Sequence, residues 1–373
     1  MRRGFWSTLR RVGRSTTGNS LELSLDGDSS FRAIWKAIRS ARRRVWVEMY
    51  IVEDDPIGRH TITLLTRAAR RGCEVLLSYD ALGSYSLPEA VLEELRAAGG
   101  RAAAYNPPLL PTGSPPFVRD HRKLVITDDR AFLGGLNLGV EYAGPRLGKN
   151  EFRDVLIALE GPAVESLAAM FRLSAGRLAP KARGSSSPST SGGSHEVIVL
   201  ASDQRRDIRT LQRALGVALK RAEYSALLVS PYFLPTPALG RGMISAARRG
   251  VEVRILTAGQ SDSRLAQAAG RHAYPRFQAA GIQVAELQGG TLHAKAAVID
   301  DEVVFLGSFN LDRWSGYRNL ELAVATRSRE LARDLQQEFG TAAKDARTVT
   351  SDRTTYGLPR RIGHWLAYQL LRL

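Results

Sequence analysis

The amino-acid sequence predicts an α/β protein made of two copies of one unit, packed against each other as a pseudo-dimer. Three observations carry that expectation. First, "LTRAARRGCEVLLSYD" (65–80) is echoed by "ISAARRGVEVRILTA" (244–258), and each reads as a helix that ends at a glycine and hands over to a strand. Second, "PKARGSSSPSTSGGSH" (180–195) divides the 373-residue chain near its middle and lacks the apolar side chains a core needs, so it reads as a linker. Third, "HRKLVITDDRAFLGGLN" (121–137) has the same form as "HAKAAVIDDEVVFLGSFN" (293–310). Strands alternating with helices put helices over a sheet, and two such units in one chain can pack as a pair.

In chain order, residues 1–19 form a basic N-terminal segment. It carries Arg2, Arg3, Arg10, Arg11 and Arg14 beside Phe5 and Trp6, with no acid. The first unit spans 20–179. Ile34, Trp35 and Ile38 recur at helical spacing in "FRAIWKAIRSARRR", which leads into the strand "VWVEMYIV". The helix ending at Gly72 and its strand come next, then "LRAAGGRAAAYNP", then a hairpin holding the first His-Lys pair. Cys73 falls where the other copy has Val251, which makes it a small core hydrophobe. The second unit spans 196–350 and repeats the plan. Ile208, Leu211, Leu215 and Leu219 mark a helix before the strand "SALLVSPYF"; Gly250, "FQAAGIQVAEL" and the second His-Lys pair follow. Residues 351–373 form a basic amphipathic C-terminal segment.

Composition narrows the class. The 44% apolar content belongs to a globular protein, and no window approaches the run of apolar residues that a membrane-spanning helix needs. One cysteine excludes an intrachain disulfide and fits a reducing cytoplasm. "MRRGFWSTLRRVGRS" lacks the apolar stretch of a secretory signal. Lys and Arg total 53 against 37 Asp and Glu, a net charge of +16 that attracts polyanions, either nucleic acid or an anionic lipid surface.

On a strand, residues i and i+2 share a face, so His121 and Lys123 project together, as do His293 and Lys295. The neighbours read as buried strand, which places each basic pair at a strand end or in a cavity, because unpaired buried charge is costly. Asp128 and Asp300 follow at equal spacing, each beside a second aspartate, and read as hairpin-turn acids with a structural role. Next come "GGLN" and "GSFN", where the glycines permit close backbone approach and Asn137 and Asn310 offer amide donors. Two histidines, two lysines and two asparagines suit a phosphodiester. The Lys and Asn donors hold its non-bridging oxygens, one imidazole attacks phosphorus, and the other protonates the leaving alkoxide. No cofactor is implied. A lysine beside each histidine repels a cation, and no Cys or His cluster supplies a ligand set, so no metal site is expected.

H-x-K-x4-D followed by G-S-x-N, twice in one chain, resembles the phospholipase D superfamily. His293, Lys295, Asp300, Gly307, Ser308 and Asn310 fit that pattern fully. The first copy departs from it, with Gly135 and Leu136 in place of Ser308 and Phe309 and a turn one residue shorter. "EMYIVEDDPIGR", "GGLNLGVEY", "FRDVLIALEGPAV" and "GSFNLDRWSGYRNLELAV" are similar to the bacterial cardiolipin synthases. The resemblance implies two phospholipase D-like α/β sandwich domains with one active site between them. It also implies a phosphatidyl group transferred from phosphatidylglycerol to a second lipid alcohol through a phosphohistidine, with His121 as nucleophile and His293 as acid and base. It further implies that Glu321 partners His121 and Asp154 partners His293; ordinary ion pairs to Arg318 and Arg153 are the alternative. Glu48, at the end of the first strand, is a further candidate.

In "LPRRIGHWLAYQLLRL" (358–373), Ile362, Leu366, Leu370 and Leu373 recur at helical spacing beside Trp365 and Tyr368. The segment reads as a helix lying in a membrane interface, against the alternative of a helix docked on its own domain. A peripheral enzyme at the cytoplasmic face of the cell membrane, bound to anionic phospholipid, is the resulting expectation. A phospholipid or nucleic-acid phosphodiesterase and a non-catalytic binder of membrane or nucleic acid are its rivals.

Overall fold

The computed structural model describes residues 4–107, 117–178, 192–203, 207–344, 347–348 and 357–372. Most of the expected linker, 180–191, lies outside the described residues. The first half runs α1 (Gly4–Val12), β1 (Arg14–Ser24), α2 (Gly27–Ser40), β2 (Arg44–Met49), α3 (Pro56–Arg70), β3 (Glu74–Asp80), α4 (Glu89–Ala97) and β4 (Arg101–Tyr105). It continues with β5 (Lys123–Thr127), β6 (Arg130–Gly134), β7 (Phe152–Arg153), β8 (Leu156–Glu160) and α5 (Ala163–Ser174). The second half runs β9 (His195–Ser202), α6 (Thr210–Arg221), β10 (Ser225–Val229), α7 (Pro237–Arg248), β11 (Glu252–Ala258), α8 (Arg264–Gln278) and β12 (Gln283–Leu287). There follow β13 (Thr291–Leu292), β14 (Ala296–Ile299), β15 (Val303–Gly307), α9 (Arg313–Tyr317), β16 (Glu321–Arg327), α10 (Arg329–Lys344), β17 (Arg347–Thr348) and α11 (Leu358–Arg372).

The strand order is itself the mark of duplication. The large sheet reads β17-β12-β11-β10-β14-β15-β16-β9-β1-β8-β6-β5-β2-β3-β4. Beyond β17, it is the same series outward from the β9–β1 seam in both directions. Hydrophobic side chains leave each sheet face in alternate positions and fill three cores. Helices α2, α3 and α4 cover the outer face of the first half, burying Ile34, Ile38, Leu65 and Leu95 against Val45, Val47 and Leu77. Helices α6, α7 and α8 cover the second half in the same way. Between the halves lies a shared core, in which Trp46, Ile126 and Leu159 pack with Leu227, Val298 and Val324 around Phe171 of α5 and Phe339 of α10.

The repeated helix stops have one cause. Gly72 and Gly250 both adopt φ of +90°, a left-handed conformation that costs a Cβ-bearing residue energy. Cys73 N–H then reaches back to Ala68 O, and Val251 N–H to Ala246 O, closing each helix end. Cys73 is buried, as its alignment with Val251 requires.

The N-terminal segment is not a free basic tail. Phe5, Trp6 and Leu9 are buried in the core of the second half, while Arg10 and Trp6 bond Glu196. Residues 19 and 20, where the expected segment gives way to the first unit, are consecutive within β1. That strand pairs with β8 on one side and β9 on the other, so the chain's first strand is the seam joining the halves.

Candidate active site

Both His-Lys pairs sit where their strands begin. Lys123 opens β5 opposite Met49, and Lys295 immediately precedes β14. The strand registers make the rest equivalent: Gly134 pairs with Leu156 and Gly307 with Ala323. Counting outward, Gly135 corresponds to Ser308 and Asp154 to Glu321.

Backbone bridges between the halves bring the two sets together. Asp120, just before His121, bridges Leu320, just before Glu321, and His121 N–H donates to Leu320 O at 3.0 Å. In the other direction β13 pairs with β7, Leu292 opposite Arg153, and His293 N–H donates to Arg153 O at 2.8 Å. Each histidine is thereby set beside the acid of the opposite half. His121 Nδ1 lies 3.1 Å from Glu321 Oε2, and His293 Nδ1 lies 2.6 Å from Asp154 Oδ2. A carboxylate on Nδ1–H fixes the tautomer and leaves Nε2 with its lone pair. Arg318 stacks over Trp314 at 4.6 Å.

The two carboxylates are held differently. Glu321 receives the hydroxyl of Ser308 on one oxygen and that of Ser315 on the other, the latter at 2.6 Å. Asp154 takes its own support from Val155 N–H at 2.8 Å. A Cβ at Gly135 would stand 2.3 Å from Asp154 Oδ1, so the first half has a glycine where the second has a serine because the shorter acid fills the hydroxyl's place.

Burial and mutual repulsion tune the bases. His121, Lys123, His293 and Lys295 are all buried. Burial lowers the pKa of His121, with Glu321 opposing and Lys123 adding to the depression. His293 is pulled down to about 4, first by burial and then by Lys295, with Asp154 opposing. Lys123 falls well below the ordinary lysine value through burial and then the Lys295 charge, and burial takes Lys295 down to about 8. The Lys123–Lys295 coupling crosses the halves, so the two motifs form one electrostatic site. A phosphodiester anion bound between the two lysines would offset their mutual repulsion.

Other expected residues divide. Asn310 is buried, and its Oδ1 has no partner among the described residues. Asn137 is committed: it accepts from Ile51 N–H at 3.2 Å and donates to Tyr142 Oη at 2.7 Å. Asp128 and Asp300, the hairpin-turn acids of the two motifs, stand at the opposite strand ends from the lysines. Asp128 takes the backbone N–H groups of Arg42, Arg43 and Arg44, and Asp300 those of Glu223, Tyr224 and Ser225. Both brace the neighbouring strand through its backbone N–H groups, as the structural role expected of turn acids requires. Glu48 is fully buried beneath the site, 3.5 Å from Arg122.

Sequence reasoning passed over several neighbours. Tyr50 packs edge-on to His121 at 4.8 Å with Lys123 over its ring at 4.9 Å. Tyr142 and Phe152 flank His293 at 5.1 and 5.3 Å. Arg122, between the first His and Lys, crosses into the second half to donate to Ser202 O at 2.7 Å and Glu321 O at 3.4 Å. One signal was available: the other copy has Ala294 at that position.

Two α/β units joined by pseudo-symmetry, with a His-Lys pair from each meeting the acid of the other, define a phospholipase D-type protein. Comparisons agree and are more specific. A family model described as "Cardiolipin synthase, PLD-like domain" matches residues 215–342. Cardiolipin synthase A of Pseudomonas entomophila is 32% identical over 345 residues, covering 90% of this chain and 70% of its own length. The probable cardiolipin synthase YwiE of Bacillus subtilis is 30% identical over 333 residues, covering 87% of this chain and 66% of its own. The crystal structure of phosphatidylserine synthase from Haemophilus influenzae has the same fold, with a TM-score of 0.72 at 13% identity, covering 99% of this chain and 97% of that one. The chain belongs to the cardiolipin synthase family of the phospholipase D superfamily.

Proposed function

We propose that this chain is a phosphatidyltransferase of the cardiolipin synthase type, acting on phosphatidylglycerol at the cytoplasmic face of a membrane. The observation that carries the reading is the crossed pairing, in which a carboxylate from the other half occupies Nδ1 of each imidazole and leaves Nε2 for chemistry; at His293 that Nε2 lies 2.9 Å from Lys295 Nζ. His121 Nε2 attacks phosphorus, a P–N bond forms, and the P–O bond to the glycerol headgroup breaks. The departing oxygen takes its proton from His293. A second phosphatidylglycerol then gives its hydroxyl proton to His293 and attacks phosphorus, the P–N bond breaks, and cardiolipin leaves. The assignment of attack to His121 follows the superfamily resemblance.

Lys123 and Lys295 hold the non-bridging oxygens as charge grows on them, and Asn310 adds an amide contact. The anionic substrate raises the proton affinity of His293, which takes up a proton from solvent on binding and passes it to the departing oxygen. No step calls on a metal. Purified protein incubated with phosphatidylglycerol, with and without added glycerol, tests the reading by lipid analysis. Cardiolipin and free glycerol, suppressed by excess glycerol, support transfer. Phosphatidic acid without cardiolipin assigns hydrolysis, and unchanged lipid refutes both.

A further inference from the structure

The outer helices of the second half have an unusual composition. Helices α7, α8 and α11 carry eight arginines and no aspartate or glutamate. Helix α11 is also turned inside out relative to an ordinary docked helix. Its contact with α8 and Leu234 is made through Ala367, Tyr368 and Leu371, whereas its large apolar residues face away. Ile362, Trp365, Leu366 and Leu370 are 51%, 47%, 55% and 60% exposed, and follow one stripe of the helix. Solvent alone does not stabilise such a ridge, and its arginine flanks exclude a dry protein core.

Between α7 and the C-terminal end of α8 lies a groove of about 570 Å³, walled by Arg241, Arg248, Arg249 and Arg276 over Ile244 and Ala280. Arg249 is bound to Leu219 O. Arg241, Arg248 and Arg276 stand at the surface. A cationic groove at the end of α8 and an apolar ridge packed along its earlier turns match the two layers of a lipid interface, headgroup phosphate and acyl boundary.

The α11 end of this face adjoins the candidate site, whereas the α7–α8 groove lies towards the Asp300 end of the strands. Leu234, which packs under α11, follows the strand β10 that runs antiparallel beside β14 and Lys295. Asp262, just before α8, accepts the hydroxyl of Tyr232 from that same segment at 2.7 Å. No described helix is long and apolar enough to cross a membrane, so contact through this face is lateral docking.

We propose that the α7–α8–α11 face is the surface on which the protein rests against an anionic phospholipid bilayer, with the α11 ridge in the acyl boundary and the α7–α8 arginines on headgroup phosphates. The proposal rests on the phosphatidyltransferase reading for its choice of lipid as occupant. It places the reacting groups beside the leaflet that supplies their substrate.

The test uses the full chain and sedimentation with two vesicle types, phosphatidylcholine alone and phosphatidylcholine with phosphatidylglycerol. The expected result is binding only to the anionic vesicles, weakened by salt. Trp365→Ser with Leu366→Ser, and separately Arg241→Glu with Arg248→Glu, should each lower the partition coefficient by on the order of tenfold or more. Turnover of a short-chain, monomeric phosphatidylglycerol should be unchanged in both double variants. Vesicle binding at the wild-type level in both overturns the proposal. So does loss of short-chain turnover or of thermal stability in both, which makes the face structural. Wild-type binding to a DNA duplex but not to vesicles overturns it as well. If wild type binds anionic vesicles through this face yet leaves short-chain phosphatidylglycerol intact, the docking surface stands and the transferase reading fails.

Discussion

Replacing Gly135 by alanine isolates the pairing of Asp154 with His293. Gly135 is not among the residues in the left-handed region, so the backbone tolerates alanine. The difficulty is entirely in front of it: the new Cβ would meet Asp154 Oδ1 at 2.3 Å, Oδ2 at 2.5 Å and Cγ at 2.7 Å, separations that real Cβ atoms do not adopt. The carboxylate must swing away, and the 2.6 Å bond to His293 Nδ1 goes with it. A hydrogen bond to a charged group contributes about 1.5–3 kcal/mol, so the rate of cardiolipin formation should fall by roughly 10- to 150-fold. The assay is initial rate in mixed micelles of phosphatidylglycerol, with thermal unfolding measured alongside. Because the loss passes through Asp154, Gly135→Ala added to Asp154→Asn should lower the rate little further. Full activity in Gly135→Ala, or losses that simply multiply in the double variant, would refute the reasoning.

Three further outcomes follow from the site. His293 binds its proton more weakly folded, at about 4, than unfolded, at about 6.5, so its contribution to stability is full above pH 6.5 and is lost as pH falls towards 4; thermal unfolding across that range should show a component missing from His293→Ala. Arg122→Met leaves Glu48 buried without its ion-pair partner and should cost about 3–5 kcal/mol in denaturant unfolding, part of it recovered by adding Glu48→Gln. Quenched incubation with substrate should leave a phosphatidyl adduct on His121 that persists in His293→Ala, is absent from His121→Ala and forms undiminished in EDTA; an adduct confined to His293 reverses the two roles.

What the sequence determined by itself was periodic and local. The helix stops at Gly72 and Gly250, the shared face of His121 with Lys123 and of His293 with Lys295, and the turns at Asp128 and Asp300 all depend on residues a few positions apart. Duplication made them legible, because a signal weak in one copy was repeated in the other. The first-half glycine could be seen as a departure from the pattern, but its reason could not, since Asp154 fills that space from the link between β7 and β8, 19 residues on. Tertiary structure alone decided the rest. Phe5 and Trp6 stand among arginines at one end of the chain, yet they complete a core built from residues 190 and more positions away. Arg122 alternates out of line with the two catalytic candidates beside it, and its path into the second half depends on where Ser202 and Glu321 lie. Helix α11 shows spacing that suits either a docked or an interfacial helix; only packing reveals that alanine faces inward and tryptophan outward. Periodicity says which residues share a face, whereas what that face meets is set by chain packed against it from elsewhere.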